Sequence, residues 1–213
     1  MKTLIAIPTH DNIPVAFMDS FLNLKKPEGI KYAIIPGTLI HEARNLIAQK
    51  AVENDFDAVF WLDSDMIVPP DALIRLTEDL INCEADIITG LYFRRKLPTN
   101  PVISKDFYWY VKDDGNVETA ATSYIDYPKD TIFPVNGTGF GCCITSGRVL
   151  RELVEKCGAP FTPLMGIGED YAFCYRATQA GFDILCDSRI KCGHIGTYVY
   201  DERAFDAQRG QIG

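Results

Sequence analysis

The sequence predicts an α/β fold with a mixed, mostly parallel central sheet. Short apolar runs alternate with amphipathic segments through residues 1–95, which is typical of parallel βαβ units with right-handed crossovers. The chain has 213 residues, 47% of them hydrophobic, so it can bury one good core. We therefore expect a single domain, 1–213, in which residues 1–95 form a nucleotide-binding-like half and residues 96–213 a second, mixed half.

The individual elements follow from the period of the apolar residues and from the turn residues between them. The first half is predicted to contain strands at 3–7, 31–35, 58–62 and 86–89, and helices at 14–24, 39–52 and 69–82. In the second half we expect a hairpin around 108–116, strands at 132–135, 140–145, 182–186 and 190–192, and helices at 148–157 and 169–180.

Charge and cysteine content exclude several classes of protein. The formal net charge is −8, which disfavours nonspecific binding to nucleic acid or to an anionic membrane. No apolar run reaches the length of a membrane span, and the chain enters its first strand directly, so we expect a cytoplasmic protein with no cleaved leader. The seven cysteines form no CxxC pair, which predicts reduced, mostly buried thiols.

The most informative segment is residues 57–66, an apolar run followed by Asp63, Ser64 and Asp65. Alternation along an extended backbone places the two aspartates on the same side, at the carboxyl end of a strand, where open α/β sheets bind ligands. Two carboxylates there suit Mg²⁺ or Mn²⁺ holding a diphosphate. An Asp-Ser-Asp turn exposed to solvent explains the same residues equally well.

Two later segments carry further candidate groups. Glu169 and Asp170 follow a glycine at the predicted start of a helix, where an acidic side chain is favoured by the helix dipole and where a carboxylate facing a cleft could also remove a proton. His194 stands between glycines at a strand end, either as a structural histidine or as a metal ligand beside Asp65. For Arg94-Arg95-Lys96 a solvated basic turn is the favoured interpretation, with contact to a diphosphate as the alternative.

Six short motifs occur along the chain in the order Ile7-Pro8-Thr9, Ala43-Arg44-Asn45, Leu62-Asp63-Ser64-Asp65, Asn136-Gly137-Thr138-Gly139-Phe140-Gly141, Gly168-Glu169-Asp170 with Arg176 and Gly181-Phe182, and Gly193-His194. In this order and spacing the chain resembles a glycosyltransferase of the GT-A fold, close to the broad inverting family 2 type, over most of its length. The third motif then corresponds to the family's DxD motif. The resemblance implies a single GT-A domain that moves a sugar from a nucleotide-diphosphate sugar, most commonly a UDP-sugar, to an acceptor hydroxyl.

The resemblance also implies roles for individual residues. Asp170 would be the catalytic base, and Glu169 would orient the donor sugar or the acceptor. A Mn²⁺ or Mg²⁺ ion would be held by Asp65 and His194, with Asp63 contacting it through water or binding the ribose. The implied nucleotide-sugar contacts are Pro8, Thr9, Asp11, Arg44, Asp63, Ser64 and Asp65, and the implied acceptor-side residues are Gly139 and Phe140. Apart from the resemblance, the aromatic residues of the predicted hairpin, Trp109 among them, could stack on a sugar on the acceptor side, and packing of the hairpin on the domain explains them equally well.

Several alternatives stay open at this stage. The stretch 192–196 is also similar to retaining GT-A enzymes, in which the Glu-Asp pair need not include a base. A haloacid-dehalogenase-like phosphatase would use Asp63 as nucleophile, although its motif normally ends the first strand. A non-catalytic sugar-nucleotide-binding module is a further class, disfavoured by the intact acidic residues. The short chain leaves the acceptor unspecified and is compatible with a homodimer whose second subunit adds acceptor contacts.

Overall fold

The computed structural model of the chain describes residues 1–9, 12–196 and 199–210, apart from the side chains of 208 and 210. The first half follows the predicted alternation of strands and helices, with one additional two-residue strand directly after the Asp-Ser-Asp segment. Its elements are β1 (Thr3–Thr9), α1 (Val15–Asn23), β2 (Lys31–Pro36), α2 (Ile40–Glu53), β3 (Ala58–Leu62), β4 (Met66–Ile67), α3 (Ala72–Asn82) and β5 (Ile87–Leu91).

The second half contains the predicted hairpin and two predicted helices, together with short strands and a terminal helix that were not predicted. Its elements are β6 (Ile103–Val111), β7 (Val117–Ser123), β8 (Ile132–Pro134), β9 (Gly137–Thr138), β10 (Cys142–Ser146), α4 (Gly147–Cys157), α5 (Glu169–Gln179), β11 (Ile184–Lys191), β12 (Gly193–Ile195), β13 (Val199–Tyr200) and α6 (Glu202–Gly210).

One prediction in this half is wrong. The two short strands expected at 182–186 and 190–192 are a single strand, β11, whose register shifts between Asp187 and Lys191. The polar residues between the two apolar runs suggested a break in the strand. Instead, the Asp187 side chain is fully buried and accepts hydrogen bonds from Arg189, so the strand continues through a charged pair.

The central sheet has seven strands in the order β2-β1-β3-β10-β5-β11-β8. The pairs β1–β2, β1–β3 and β5–β11 are parallel, whereas β10 runs antiparallel to both of its neighbours and β8 antiparallel to β11. The predicted mixed and mostly parallel sheet is therefore confirmed. Because β1, β3 and β5 point the same way, their carboxyl ends meet at one edge of the sheet.

Two small sheets extend this edge. One joins β4, β12 and β13, and the other joins β6, β7 and β9. The first matters for the site because His194 of β12 pairs with Met66 of β4, one residue after Asp65. A short ladder thus brings a late segment of the chain against the end of β3.

The core beneath the carboxyl edge is aromatic. Trp61, Phe140, Phe161 and Phe173 are fully buried, with the rings of Phe161 and Phe173 stacked at 4.3 Å between centroids. The buried indole N–H of Trp61 donates to Thr145 Oγ1 at 3.0 Å, so its polar atom is satisfied. All seven cysteines are free, and five of them are buried as predicted, the exposed exceptions being Cys83 and Cys157.

Candidate functional site

A cleft of about 470 Å³ opens at the carboxyl edge of the sheet, where β1, β3 and β5 end and α5 begins. Its walls contain most of the residues that the sequence predicted for a site, drawn from both halves of the chain. The predicted residues that line it are Pro8, Thr9, Arg44, Asp63, Ser64, Asp65, Glu169, Asp170 and His194. Asp11, also predicted, lies outside the described residues.

The deepest part of the cleft is organised around Arg44 of α2. Its side chain is 2% exposed, and Nη2 donates to both carboxylate oxygens of Asp63 at 2.8 and 3.0 Å. Nη1 donates to Glu169 Oε1 at 2.7 Å. Burial alone would lower the pKa of the Arg44 guanidinium, but the charges of its carboxylate partners raise that pKa above its ordinary value. One buried cation therefore joins α2, the end of β3 and the start of α5.

Asp170 lies beside this network, in the first turn of α5. The residue before the helix, Gly168, has no side chain to cap it, and Asp170 Oδ1 accepts the backbone N–H of Tyr171 at 2.7 Å. The pKa of Asp170 is raised to about 6, mainly because the carboxyl group is buried. The negative charge of Glu169 also raises it, whereas the positive charge of Arg44 partly opposes the rise. The carboxylate is thus ionised at neutral pH and a better proton acceptor than an ordinary aspartate.

The outer part of the cleft is built around Asp65. The turn after β3 is fixed by the Asp63 N–H, which donates to Gly141 O at 3.1 Å, and by the Asp65 carbonyl, which accepts the Ile195 N–H at 2.7 Å. Two cationic or basic side chains then approach the Asp65 carboxylate. Arg95 Nη1 lies 2.8 Å from Oδ2, and His194 Nε2 lies 3.6 Å from Oδ1.

The tautomer of His194 follows from its other ring nitrogen. Nδ1 lies 2.8 Å from the carbonyl oxygen of Phe93, which can only accept, so Nδ1 carries a proton. In the neutral imidazole the lone pair of Nε2 then faces the carboxylate of Asp65. Either a proton on Nε2, which would make the pair a salt bridge, or a cation between the two groups compensates these facing acceptors, and histidine anchored through its second nitrogen is the usual arrangement of a metal ligand.

The donor set therefore fits a divalent cation held by an imidazole and a carboxylate. Among the residues that the structure describes, however, no group of three or more histidine, cysteine, aspartate or glutamate side chains is assembled for a metal. Of the three predicted ligands, Asp65 and His194 face each other, whereas both oxygens of Asp63 are engaged by Arg44. A cation here would take its remaining ligands from water and substrate phosphates, as Mg²⁺ commonly does.

The ends of β1 and β3 meet on the nucleotide-binding side that the sequence predicted. Thr9 Oγ1 donates to Ser64 Oγ at 3.0 Å, which ties the last residue of β1 to the middle of the Asp-Ser-Asp turn. Pro8 has no N–H to offer a neighbouring strand, and it lies beside Thr9 in the wall of the cleft.

Three further cleft residues follow β5; the sequence did not indicate the first, and it indicated the two arginines only as the less favoured interpretation. Tyr92, Arg94 and Arg95 all line the cleft. Both arginines are exposed, as a solvated basic turn predicts, and their position also suits the alternative interpretation, contact with a diphosphate. The available signal was their position: they come directly after a buried strand whose carboxyl end lies at the same edge as β3. Tyr92 supports the turn as well, because its Oη accepts the Gly141 N–H at 3.1 Å.

The predicted acceptor-side residues do not line the cleft. Phe140 is fully buried and packs edge-on against Trp61, with the Arg44 guanidinium carbon 5.6 Å from its ring centroid. At Gly139 a Cβ atom would come within 1.9 Å of Tyr92 Oη, so this glycine permits close packing. We therefore correct the role of both residues from acceptor contact to support of the cleft. Trp109 is exposed, but it borders a separate groove.

Comparison with known proteins gives matches in structure alone. No protein-family model matches the sequence, and no curated protein matches it. The fold is similar to the crystal structure of A197 from STIV, with a TM-score of 0.65 and 20% identity over 92% of this chain and 86% of that chain. It is also similar to GalNAc-T7 solved with UDP, GalNAc and Mn²⁺, with a TM-score of 0.58 and 13% identity over 92% of this chain and 44% of that chain.

These similarities confirm the predicted fold class. The α/β architecture with a mixed central sheet matches a GT-A-like fold, and this chain spans less than half of the GalNAc-T7 structure. None of the described helices is long and apolar enough to cross a membrane.

Proposed function

We propose that this protein is a metal-dependent glycosyltransferase that moves a sugar from a nucleotide-diphosphate sugar, with a UDP-sugar as the first candidate, to an acceptor hydroxyl. One observation carries the proposal: a single cleft at the carboxyl edge of a GT-A-like sheet brings together the facing side chains of Asp65 and His194 and the Asp170 carboxylate. The similarity to a structure that holds UDP, GalNAc and Mn²⁺ agrees with this choice of ligands.

The donor is proposed to lie along the ends of β1, β3 and β5. Pro8, Thr9 and Ser64 line the side of the cleft that we assign to the nucleotide, and Asp11 stays a predicted contact outside the described residues. Asp65 and His194 would hold Mn²⁺ or Mg²⁺, which supplies positive charge against the negative charge that develops on the departing diphosphate. Arg94 and Arg95 are placed to add hydrogen bonds to phosphate oxygens.

Asp170 is proposed as the base that removes the proton from the acceptor hydroxyl. Its raised pKa, about 6, combines an ionised state at neutral pH with a high affinity for the proton. Arg44 fixes Asp63 and Glu169 on either side and so orders the floor on which the donor sugar rests. Attack of the activated hydroxyl at the anomeric carbon, opposite the diphosphate, inverts the configuration of the transferred sugar.

The geometry disfavours the phosphatase alternative. A nucleophilic aspartate must present a free carboxylate oxygen to phosphorus, whereas both oxygens of Asp63 accept hydrogen bonds from a buried arginine.

The reaction can be tested with water as a slow surrogate acceptor. Purified protein is incubated with UDP-glucose, UDP-galactose, UDP-GlcNAc and UDP-GalNAc, each with Mn²⁺, and release of UDP is followed. We expect release from at least one donor, and we expect Asp170→Asn to slow it by about 10²- to 10⁴-fold. NMR of the released sugar assigns the anomer. Equal rates for wild type and Asp170→Asn would exclude Asp170 as the base, and release of inorganic phosphate from p-nitrophenyl phosphate would instead favour the phosphatase.

A further inference from the structure

A second groove, of about 340 Å³, lies between the β6–β7 hairpin and the side of α5. Its apolar part is formed by Phe107, Trp109 and Tyr175. The rings of Phe107 and Trp109 both meet Tyr175 nearly at right angles, with centroids 5.7 and 6.0 Å away. These contacts fix the orientation of the rings, as edge-to-face aromatic pairs do.

The indole of Trp109 is only partly used by this packing. Trp109 is 52% exposed although it belongs to a strand of a three-stranded sheet. Exposure of so large an apolar surface is unfavourable. A half-exposed tryptophan that is held in place by a neighbouring ring therefore indicates a surface on which a ligand can stack.

Polar groups surround the exposed ring. Asp106, Asn136, Thr178 and Gln179 line the same groove and come from three separate parts of the chain. The Asn136 side-chain amide donates to the Lys105 carbonyl and lies 3.5 Å from Asp106 Oδ1, so the amide and the carboxylate are arranged side by side. Planar groups with paired donors and acceptors around an aromatic face match a sugar, which has an apolar C–H face and hydroxyls at its edge.

The groove also has a fixed relation to the proposed catalytic base. Helix α5 begins at the cleft with Glu169 and Asp170 and borders the groove with Tyr175, Thr178 and Gln179. Eight residues separate Asp170 from Thr178, which corresponds to about 12 Å along the helix at 1.5 Å per residue. Phe107 contacts both Tyr171 and Tyr175, so the hairpin follows the same helix from the cleft to the groove.

We propose that this groove is a carbohydrate-binding subsite for a neutral oligosaccharide that serves as the acceptor, with Trp109 as its stacking platform. Binding of the oligosaccharide is independent of the reaction, and only its role as acceptor rests on the proposed function. The groove lies outside the cleft that would hold the donor, so an acceptor that occupies the groove and also reaches the donor must be a chain of sugars.

The test uses the tryptophan fluorescence of the full chain. The chain has two tryptophans, and Trp61 is fully buried, so quenching by acrylamide reports mainly on Trp109. Cellotriose, maltotriose, mannotriose and chitotriose are titrated separately, with choline chloride as a probe for cation binding by aromatic rings. We expect at least one trisaccharide to protect Trp109 from quenching, in a saturable manner, and choline to have no effect.

Substitutions at Trp109 and Tyr108 test whether the trisaccharide binds in this groove. Trp109→Ala, followed by calorimetry with the protective trisaccharide, is expected to weaken binding by about tenfold or more. Tyr108→Ala is the matched control, because Tyr108 is 50% exposed on the same strand but does not line the groove, and it is expected to bind as wild type. Trp109→Phe retains an aromatic face and should recover part of the affinity.

The outcomes separate this inference from the proposed function. Absence of protection by every trisaccharide, or protection by choline instead, overturns the carbohydrate subsite. An equal loss of binding in Tyr108→Ala also overturns the assignment to this groove. The thermal response to UDP with Mn²⁺, measured on the same samples, reports on the cleft alone: if it fails while a trisaccharide binds, the proposed function falls and the subsite stands.

Discussion

Two arginines hold the two aspartates of the turn after β3, and they do so in opposite environments. Arg44 is 2% exposed and binds Asp63 and Glu169, whereas Arg95 is 49% exposed and binds Asp65. The distances are similar, 2.8 Å in each arginine–aspartate pair. The environments differ, and this difference decides what each pair contributes.

In the buried network, the Arg44 guanidinium and its two carboxylate partners each compensate the charge of the other. Removal of either side leaves an unpaired charge in a poorly solvated place, so the Arg44 network fixes the geometry of the inner cleft. The exposed pair is screened by water and contributes little to stability. Arg95 can therefore exchange Asp65 for a phosphate at small cost, while Arg44 keeps its partners. The inner cleft is the rigid part of the site, and the outer cleft is the part that a ligand can rearrange.

Arg44→Met should have the largest effect on stability, because it keeps much of the side-chain volume and removes the buried charge. We expect the free energy of unfolding at pH 7 to fall by about 3–5 kcal/mol, because Asp63 and Glu169 lose their buried counter-ion. Urea unfolding followed by circular dichroism measures the loss. A loss below about 1 kcal/mol would mean that the inner network is as well solvated as a surface pair, and the contrast between the two arginines would disappear.

The pH dependence of the rate tests whether Asp170, in the inner cleft, acts as the catalytic base. With a pKa of about 6, the base is progressively protonated as the pH falls, so kcat/KM of the wild type should fall about tenfold per pH unit below pH 6 and level off above it. Asp170→Asn should lose about 10²- to 10⁴-fold in rate, equivalent to about 3–5 kcal/mol, and show no such inflection. A profile that stays flat between pH 5 and 8 would contradict the assignment.

Asp170→Asn should lose activity without losing stability at neutral pH. Because the folded state raises the pKa of Asp170 from 3.8 to about 6, protonation favours folding. That stabilisation is fully present below about pH 3.8 and is lost as the pH rises through 6. The asparagine variant lacks this loss, so we expect it to be at least as stable as wild type at pH 7–8 by urea unfolding. A clear destabilisation there would indicate a structural role for the carboxylate.

In the outer cleft, His194 is expected to contribute to cation binding. His194→Ala should weaken Mn²⁺ binding by about 10- to 100-fold, because one of two facing donors is removed. Electron paramagnetic resonance of free Mn²⁺ in the absence of nucleotide measures this change without an activity assay. His41→Ala is the matched control, since His41 lies on α2 and does not line the cleft. Equal affinities in all three proteins would remove the Asp65–His194 pair from consideration as a cation site.

Arg95→Met should have the smallest effect on stability, about 0–1 kcal/mol, because its ion pair is exposed. The same change frees Asp65, so Mn²⁺ should bind as well as in wild type or somewhat better. Calorimetric titration of Mn²⁺ into both proteins tests this, and weaker binding in the variant would show that Arg95 supports the cation site rather than competing with it.

Local patterns predicted the elements of the first half well, because each buried strand there is a continuous apolar run bounded by turn residues. The run 58–62 was predicted with its observed limits, and the aspartates after it fall at the edge that parallel strands share. The same logic, applied to the end of β5, would have brought Arg94 and Arg95 into the site. They were set aside because a basic turn is more often solvated than functional.

Other features depend on contacts that no local pattern encodes. The partner of Arg44 on α5, Glu169, is 125 residues away, and the pairing of β4 with β12 that brings His194 to Asp65 joins strands of two and three residues. The acceptor-side role of Phe140 came from the resemblance of the stretch 136–141 to a family motif, which does not say where the ring points. Its ring faces the aromatic core, and only the packing of the core reveals that direction.

Thermal unfolding can show whether the cleft binds a nucleotide through a divalent cation held by Asp65. UDP, GDP, CMP and dTDP are each measured with and without Mn²⁺, on wild type and on Asp65→Ala. A ligand at a hundred times its Kd stabilises the fold by about 2.7 kcal/mol, which for a chain of this size raises Tm by about 5–10 °C. We predict such a rise for one nucleoside diphosphate, only with Mn²⁺ and only in wild type; no rise with any nucleotide, or an equal rise in Asp65→Ala, would show that Asp65 does not hold a cation for a nucleotide in this cleft.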